Sequence, residues 1–253
     1  MATQKKIPVK PLTSWSYSRY SDYCQCPLKF KLKHIDKVQE PKNAAMERGS
    51  LIHSLAEDYI KGKISRLPKD LSKFGKEFRS LRKVYQQRMA GLVVEDNWSF
   101  TKDWTQTTWN DWTHCWVRIK LDLAQHELNQ DLETYTLRIR DWKTGKFRED
   151  QNEQYKEQLE LYALAGLLMF PHVDIVLPEL VYLDEGVIYP DEKTRQADMV
   201  FTRKDVPRLK KLWEKKVKPM MNDKNFAPRP NQFCKWCHYR KDNATNGGGQ
   251  CKF

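Results

Sequence analysis

The stretch from Thr134 to Lys146 constrains this chain more than any other. Tyr135, Leu137 and Ile139 alternate with polar residues, the period of a half-buried strand, and Asp141 and Lys143 continue the same phase. Successive side chains on a strand point to opposite faces, so these two charges project into the same space. Burying them without partners is costly, so the pattern implies an ion pair or a bound cation. A carboxylate can hold a divalent cation there, while the ammonium beside it polarises a water molecule or a phosphate oxygen. An acid and a lysine two residues apart are common, however, and the rest of the chain has to decide what this pair means.

The chain has 253 residues, enough for one large domain or a domain with a small module. Forty-five basic residues against 33 acidic ones give a net charge of +12. Such a surplus suits a polyanionic partner, a phosphate backbone above all, though it also serves solubility. The basic opening Met1 to Lys10 leads into no apolar signal segment. The longest apolar run, Leu161 to Phe170, falls short of the roughly 20 residues that a bilayer requires. The expectation is a cytoplasmic protein with no membrane contact, in which the six cysteines are metal ligands or free thiols rather than disulfides.

The N-terminal stretch to Leu12 reads as a flexible tail. Ser14 or Ser16 is placed to cap a short helix through Tyr23, and Pro27 begins another turn. Ala45, Gly49, Ile52, Ala56, Tyr59 and Ile60 recur at helical spacing over Asn43 to Ile60, with Gly62 placed to end that helix. A basic helical stretch, Leu71 to Met89, follows and reads as a solvated face, with a basic groove wall as the other use. Strand patterns begin at Trp116. Val117, Ile119, Leu121 and Leu123 alternate with polar partners, and after a polar turn, Glu127 to Asp131, the Tyr135 strand begins. Asp122 falls on the opposite phase, beside Arg118 and Lys120, so alternation alone does not bring it to Asp141. A helix over Glu153 to Met169 carries Gln158 and Tyr162 one turn apart on one face. Strands over Ile175 to Leu183 and Val187 to Tyr189 flank the turn Asp184-Glu185-Gly186. Thr202 and Asp205 form a capping-box pattern for a helix reaching Met221, and Pro228 and Pro230 end it before a cysteine-rich tail with a low-complexity patch, Asn243 to Gln250. The order of elements predicts an α/β fold: a mixed central sheet flanked by helices.

Five of the nine tryptophans (Trp98, Trp104, Trp109, Trp112 and Trp116) fall between residues 98 and 116. No helical or strand period fits all five. They read as packing residues, with base-stacking platforms as the alternative use of such a cluster.

In order, these landmarks resemble the RecB-like branch of the PD-(D/E)XK nucleases, which includes CRISPR-associated exonucleases and phage recombination nucleases. The resemblance rests on Cys26-Pro27 in Tyr-x-x-Cys-x-Cys-Pro, on Gly49 and His53 in Gly-x-x-x-His, and on Asp122 at the end of a strand. It continues with Asp141-Trp142-Lys143-Thr144-Gly145, Gln158-x-x-x-Tyr162 and the cysteines after Pro228-x-Pro230. It covers Ser14 to Cys251 and looks most like phage-encoded versions. It implies a restriction-endonuclease-like core over residues 13–226 and a cysteine-rich segment, 227–253, closing on the Cys26 region. His53, Asp122 and Asp141 would hold catalytic magnesium or manganese, with the Trp142 carbonyl as a further ligand. Lys143 would orient or deprotonate the attacking water, and Gln158 and Tyr162 would position the phosphate or Lys143. The implied activity is metal-dependent exonucleolytic hydrolysis of DNA, single-stranded or with free ends. The implied setting is phage or bacterial recombination, repair or replication, with protein partners from those processes, in the host cytoplasm if phage-encoded. The alternative is a non-catalytic DNA-binding module on the same fold with structural zinc.

Cys234-x-x-Cys237 and Cys251, with Cys26 far upstream, resemble the same family's 4Fe-4S site, a clip between the ends of the chain. Zinc would accept the same ligands, or His238 in place of one, and Cys24 is an alternative to Cys26. Thirteen residues, including Gly247-Gly248-Gly249, separate Cys237 from Cys251. Cys234 to His238 also spells a haem-attachment pattern, set aside because that chemistry accompanies export. Cys115, beside Trp116, reads as a core thiol.

Overall fold

The computed structural model describes residues 12–88, 91–130, 133–193, 195–243 and 248–253. The expected tail before Leu12, the ends of the stretches at Met89 and Asp131, and part of the Asn243 to Gln250 patch lie outside the described residues. Backbone contacts divide the chain into two compact units: Lys42–Leu212, and the described residues up to Pro41 together with Trp213–Phe253. The division therefore falls at Pro41 and Leu212, not at the 226/227 boundary expected from the motifs.

The larger unit opens with helix α3, over Ala44–Ile60. Asn43 caps it, its side-chain oxygen accepting the Met46 N–H at 2.8 Å, and Gly62 at a φ of +79° turns the chain away. Ile52, Ala56, Tyr59 and Ile60 are its buried face. The basic stretch that follows becomes a 3₁₀ turn, Lys69–Phe74, and α4, Gly75–Gln86. It buries Phe78 and Leu81 and exposes Lys76, Arg79 and Lys83, the solvated face that its pattern predicts.

Among the described residues, six strands form one mixed sheet. They are β1 (Leu92–Phe100), β2 (Val117–Asn129), β3 (Thr134–Lys143), β4 (Ile175–Tyr182), β5 (Val187–Tyr189) and β6 (Phe201–Thr202). The order is β1-β2-β3-β4-β5, with β6 also on β4; all neighbours are antiparallel except the parallel pair β3/β4. β1 is absent from the sequence reading because Glu95-Asp96-Asn97 interrupts its alternation. Residues Glu127 to Asn129, expected in a turn, extend β2 instead.

Parallel neighbours require a crossover, and α5 (Asn152–Met169) supplies it. Leu159, Leu161, Leu164 and Leu167 are all buried, so the long apolar run serves as a core helix. Among the described residues no helix is long and apolar enough to cross a membrane. Gly166 sets how closely α5 lies on β3: a Cβ there would stand 2.8 Å from Leu137 Cδ2 and 2.9 Å from Ile139 Cδ1.

The smaller unit contains α1 (Tyr17–Gln25), capped by Ser16, and α2 (Pro27–Phe30), which opens on proline. The helix Val206–Asn222, α6, carries the boundary between the units and follows the Thr202/Asp205 capping box that the sequence predicts. Within the smaller unit Trp15 stacks on Trp213 with centroids 5.4 Å apart, and Phe30 on Phe226 at 5.9 Å. Tyr23 Oη donates to Asp223 at 2.8 Å. After the long insert the chain returns: Cys251 N–H donates to the Tyr239 carbonyl at 2.7 Å, and Lys241 N–H to the Cys251 carbonyl at 2.9 Å.

Because a side chain at Gly166 must displace the Leu137 and Ile139 methyls, Gly166→Val is expected to cost about 1–3 kcal/mol of stability. Equilibrium urea denaturation measures it, and a variant as stable as the parent would show that α5 has room to lift.

Candidate active site

β2 and β3 pair as far as Leu123 with Arg140, and the next residues in line are Asp122 and Asp141. There the ladder stops. Trp142 N–H donates instead to the Asp122 carboxylate, at 2.7 Å. Along the other edge of β2, Val94 pairs with Leu123 and Asp96 with Leu121, which sets Glu95 level with Asp122. Three acids on three adjacent strands therefore stand in one row. This resolves the phase mismatch in the sequence: strand register, rather than alternation along one strand, brings Asp122 to Asp141. Glu95 has a φ of +51°, a left-handed conformation that costs a residue other than glycine about 1–2 kcal/mol.

α3 brings the fourth group. Gly49 meets the end of β3, where a Cβ would come within 3.2 Å of Thr144 Oγ1, and His53 lies one turn later on the same helix face. Arg48 ties the two elements together. Its guanidinium bonds Asp184 at 2.7 and 2.8 Å and Asp70 at 3.0 Å, and Asp184 in turn accepts the Gly145 N–H at 2.8 Å. Gly145, at a φ of +120°, makes the turn that directs the chain away after Lys143. His53 Nδ1 then lies 3.1 Å from Asp122 Oδ1 and 3.7 Å from Glu95 Oε1. Lys120 Nζ reaches the other Glu95 oxygen at 2.9 Å.

Asp141 is held by a second set of groups. Tyr162 Oη donates to its Oδ1 at 2.5 Å and Gln158 Nε2 donates to the same oxygen at 3.2 Å. Lys143 Nζ lies 2.7 Å from Asp141 Oδ2 and donates to Gln158 Oε1 at 3.2 Å. Gln158 and Tyr162, four residues apart on α5, thus clasp the acid and the lysine of β3 in a closed ring of hydrogen bonds. Trp142, between them in sequence, points the other way, its ring buried among Phe78, Ile52 and Leu123. His53, Asp122, Asp141, Lys143, Gln158 and Tyr162 are brought to one place, and Trp142 joins them through its backbone N–H.

Glu95 escaped the sequence reading. Sixteen residues, 101–116, separate β1 from β2, so no short hairpin turn betrays the register that puts Glu95 opposite Asp122. The available signal was an acid directly after the apolar Leu92-Val93-Val94.

The electrostatics follow from crowding three carboxylates at low exposure. Burial alone would lower the His53 pKa, but the hydrogen bond to Asp122, the neighbouring Glu95 carboxylate and the charges of Asp122 and Asp141 carry it up to about 10. Burial, reinforced by the Asp141 charge and only partly offset by His53, lifts Asp122 to about 6. Burial acts upward on Glu95 too, yet the nearby His53 imidazole and the ion pair with Lys120 hold it below the ordinary carboxylate range. Burial and the charge of Asp141 push Tyr162 well above the usual phenol value, so it stays a neutral donor. Among the described residues the buried Glu95 Oε1 accepts no hydrogen bond.

In the smaller unit, Cys26, Cys234, Cys237 and Cys251 line one cavity of about 200 Å³, with Phe233 and Trp236 on its wall. Arg229 N–H points at Cys26 Sγ from 3.4 Å and Asn231 N–H at Cys234 Sγ from 3.3 Å. Cys24 is exposed, and Cys115 is buried as the sequence predicts.

The sequence matches the PD-(D/E)XK nuclease superfamily over residues 14–241, most of its length. The chain belongs to that superfamily. Its mixed sheet flanked by helices is consistent with a restriction-endonuclease-like fold, and membership implies nucleic-acid hydrolysis assisted by divalent metals such as magnesium or manganese. No curated protein matches the sequence. Among solved structures, a protein of Eubacterium rectale provisionally assigned as an exonuclease is 12% identical. The alignment covers 90% of this chain and 88% of that one at a TM-score of 0.44, too distant to carry function across.

The donors present in this PD-(D/E)XK member fit a divalent cation. One ligand atom from each of His53, Glu95 and Asp122 falls within 4.8 Å of the others, and Glu95 offers an oxygen with no other hydrogen bond. Imidazole with carboxylates suits manganese better than magnesium, which prefers oxygen throughout. Calorimetric titration with manganese tests Glu95 directly. Glu95→Ala is expected to weaken binding about tenfold or more, and an unchanged isotherm would remove Glu95 from the ligand set.

Proposed function

We propose that this PD-(D/E)XK nuclease is a metal-dependent DNA exonuclease of the RecB-like type, of phage or bacterial recombination, repair or replication. The observation that carries the reading is the ring joining Asp141, Lys143, Gln158 and Tyr162, set beside the row of Glu95, Asp122 and His53. A binding module has no use for a lysine held 2.7 Å from a carboxylate that two further side chains orient.

His53, Glu95 and Asp122 would hold the magnesium or manganese, with Asp141 and the Trp142 carbonyl as the further ligands that the family pattern implies. The bound cation would act as a Lewis acid and lower the pKa of water. The chain's own groups supply the rest. Gln158 and Tyr162 fix the Asp141 carboxylate in one rotamer. Lys143 presents an ammonium with one proton left for a phosphate oxygen or the attacking water, and its fixed charge favours the transition state over the ground state. Water oxygen bonds to phosphorus and gives up a proton to solvent, the P–O3′ bond breaks, the 3′ oxygen takes up a proton from solvent, and the product carries a 5′-phosphate.

The cysteine cavity is the second half of the proposal. Four thiols converging on one cavity, two of them met by backbone N–H groups, support a 4Fe-4S cluster, with zinc as the other occupant that such ligands accept.

End-labelled single- and double-stranded DNA, incubated with magnesium, manganese or chelator, tests the activity. Metal-dependent mononucleotide release is expected, falling at least about 100-fold in Lys143→Ala, while covalently closed circles resist. DNA bound but uncut in every metal would point to the non-catalytic binding module, and cut circles would point to an endonuclease. For the cysteines, metal analysis of the protein purified without oxygen should return iron and sulfide, both lost in Cys251→Ser. Stoichiometric zinc would replace the cluster with a structural ion, and no metal at all would discard the site.

A further inference from the structure

The five clustered tryptophans do not share one fate. Trp98, Trp104 and Trp116 are buried, as packing residues should be, with Trp104 and Trp116 in edge contact at 5.2 Å. Trp112 is 75% exposed. Burying an indole is among the larger apolar gains open to a chain, and Trp112 forgoes it.

The loop that carries it is built to hold it there. The Asp111 carboxylate accepts from Thr107 Oγ1 at 2.9 Å, Thr113 N–H at 3.1 Å and His114 N–H at 2.9 Å. Cys115 N–H closes the turn on the Asp111 carbonyl at 3.0 Å. The Arg118 guanidinium lies over the Trp112 ring at 4.8 Å and over the half-buried Trp109 at 5.7 Å, and its Nε donates to the Trp109 carbonyl at 3.1 Å. With three quarters of the residue still in solvent, the indole keeps an open face beside a fixed positive charge.

This platform is continuous with the candidate active site. Arg118 and Lys120 alternate on β2 with the buried Val117, Ile119 and Leu121, so both lie on its solvent side. Lys120 contacts Glu95 at 2.9 Å, and Glu95 belongs to the His53–Asp122 cluster. Four residues of strand, about 13 Å, separate Arg118 from Asp122.

We propose that Trp112, backed by Arg118 and Trp109, is a stacking platform for a base of the nucleic-acid strand whose backbone runs past Lys120 to the acid row. The proposal deepens the nuclease reading by naming how a strand is held beside the site, and it rests on that reading for the strand's path. Stacking accepts any base and charge accepts any phosphate, so the ligand is single-stranded nucleic acid without sequence preference. At 3.4 Å per stacked nucleotide, 13 Å corresponds to about four nucleotides from the scissile phosphate, and fewer if the strand is extended. Because the loop is already ordered, little entropy is lost on binding.

The test is fluorescence anisotropy of labelled oligodeoxythymidylate in chelator, where no cleavage competes, with tryptophan emission read in parallel. Trp112→Ala is expected to weaken binding about five- to hundredfold and remove most of the quenching, while Trp112→Phe retains an intermediate affinity. Abasic nucleotides placed one at a time from the first to the sixth position should cost the wild type a similar factor at one position and cost Trp112→Ala nothing there. Since Trp112 is exposed, unchanged thermal unfolding is expected of both variants. Equal affinities, or an abasic penalty that persists in Trp112→Ala, would overturn the platform. So would a change of oligomeric state in Trp112→Ala without a change in DNA affinity, which would assign the face to a second copy of this chain. Cleavage is assayed separately on the wild type: no cleavage where Trp112-dependent stacking is present sinks the nuclease reading alone, and cleavage without any Trp112-dependent stacking sinks only the platform.

Discussion

The candidate site depends on one departure from regular structure, the point at which β2 and β3 stop pairing. Up to Leu123 and Arg140 the two strands exchange ladder hydrogen bonds. One residue further, Asp122 takes the place of a strand, accepting the Trp142 N–H with its side chain. A carboxylate that satisfies a backbone donor is fixed in direction. Its other oxygen is left for His53. Had the ladder continued, Asp122 would be one more side chain on a sheet face; because it parts there, a wedge opens in which groups from β1, β2, β3, α3 and α5 meet.

The electrostatic consequence is an excess of negative charge that the protein's own cations cover unevenly. Lys143 serves Asp141, Lys120 serves one oxygen of Glu95, and His53 is shared between Asp122 and the other. Burial and carboxylate repulsion act together on Asp122, whereas Glu95 is kept ionised by its partners. A site in which one histidine must answer two carboxylates suits a divalent cation, and the cation would need that histidine neutral. The two clusters also divide labour. Tyr162 and Gln158 restrain Asp141 through neutral donors, which orient without cancelling charge.

Which parts of this were legible in sequence follows from the range of the interactions. Asp141 and Lys143 sit on one strand and Gln158 and Tyr162 on one helix, so period alone paired each couple. The capping box at Thr202 and Asp205 is equally local. Glu95 is different. Its role exists only through the β1/β2 register across a long connection, and its left-handed backbone has no signature in a glutamate. The same limit left Asp122 unplaced relative to Asp141, and it let five tryptophans look alike when burial separates three of them from Trp112.

Register is also what the charged network on β3 and β4 protects. A slip of one residue on a strand exchanges its two faces, which here would trade Asp141 for Trp142. Against that stands Glu179, almost completely buried on β4 and level with Arg140 on β3. Arg138 meets one of its oxygens at 2.5 Å, Arg140 the other at 2.8 Å, and Arg195 closes on it at 2.5 Å. The arginines are in turn anchored outward, Arg138 to Glu127 at 2.9 Å and Arg140 to Glu77 at 2.8 Å. A buried ion network of this kind gains little over a hydrophobic core in net stability, but breaking it strands an unpaired charge at a cost of about 3–5 kcal/mol. A shifted pairing of β3 on β4 would break several of these bonds at once. The network therefore penalises the wrong register far more than it rewards the right one, and the right register is the one that presents Asp141 and Lys143 to α5.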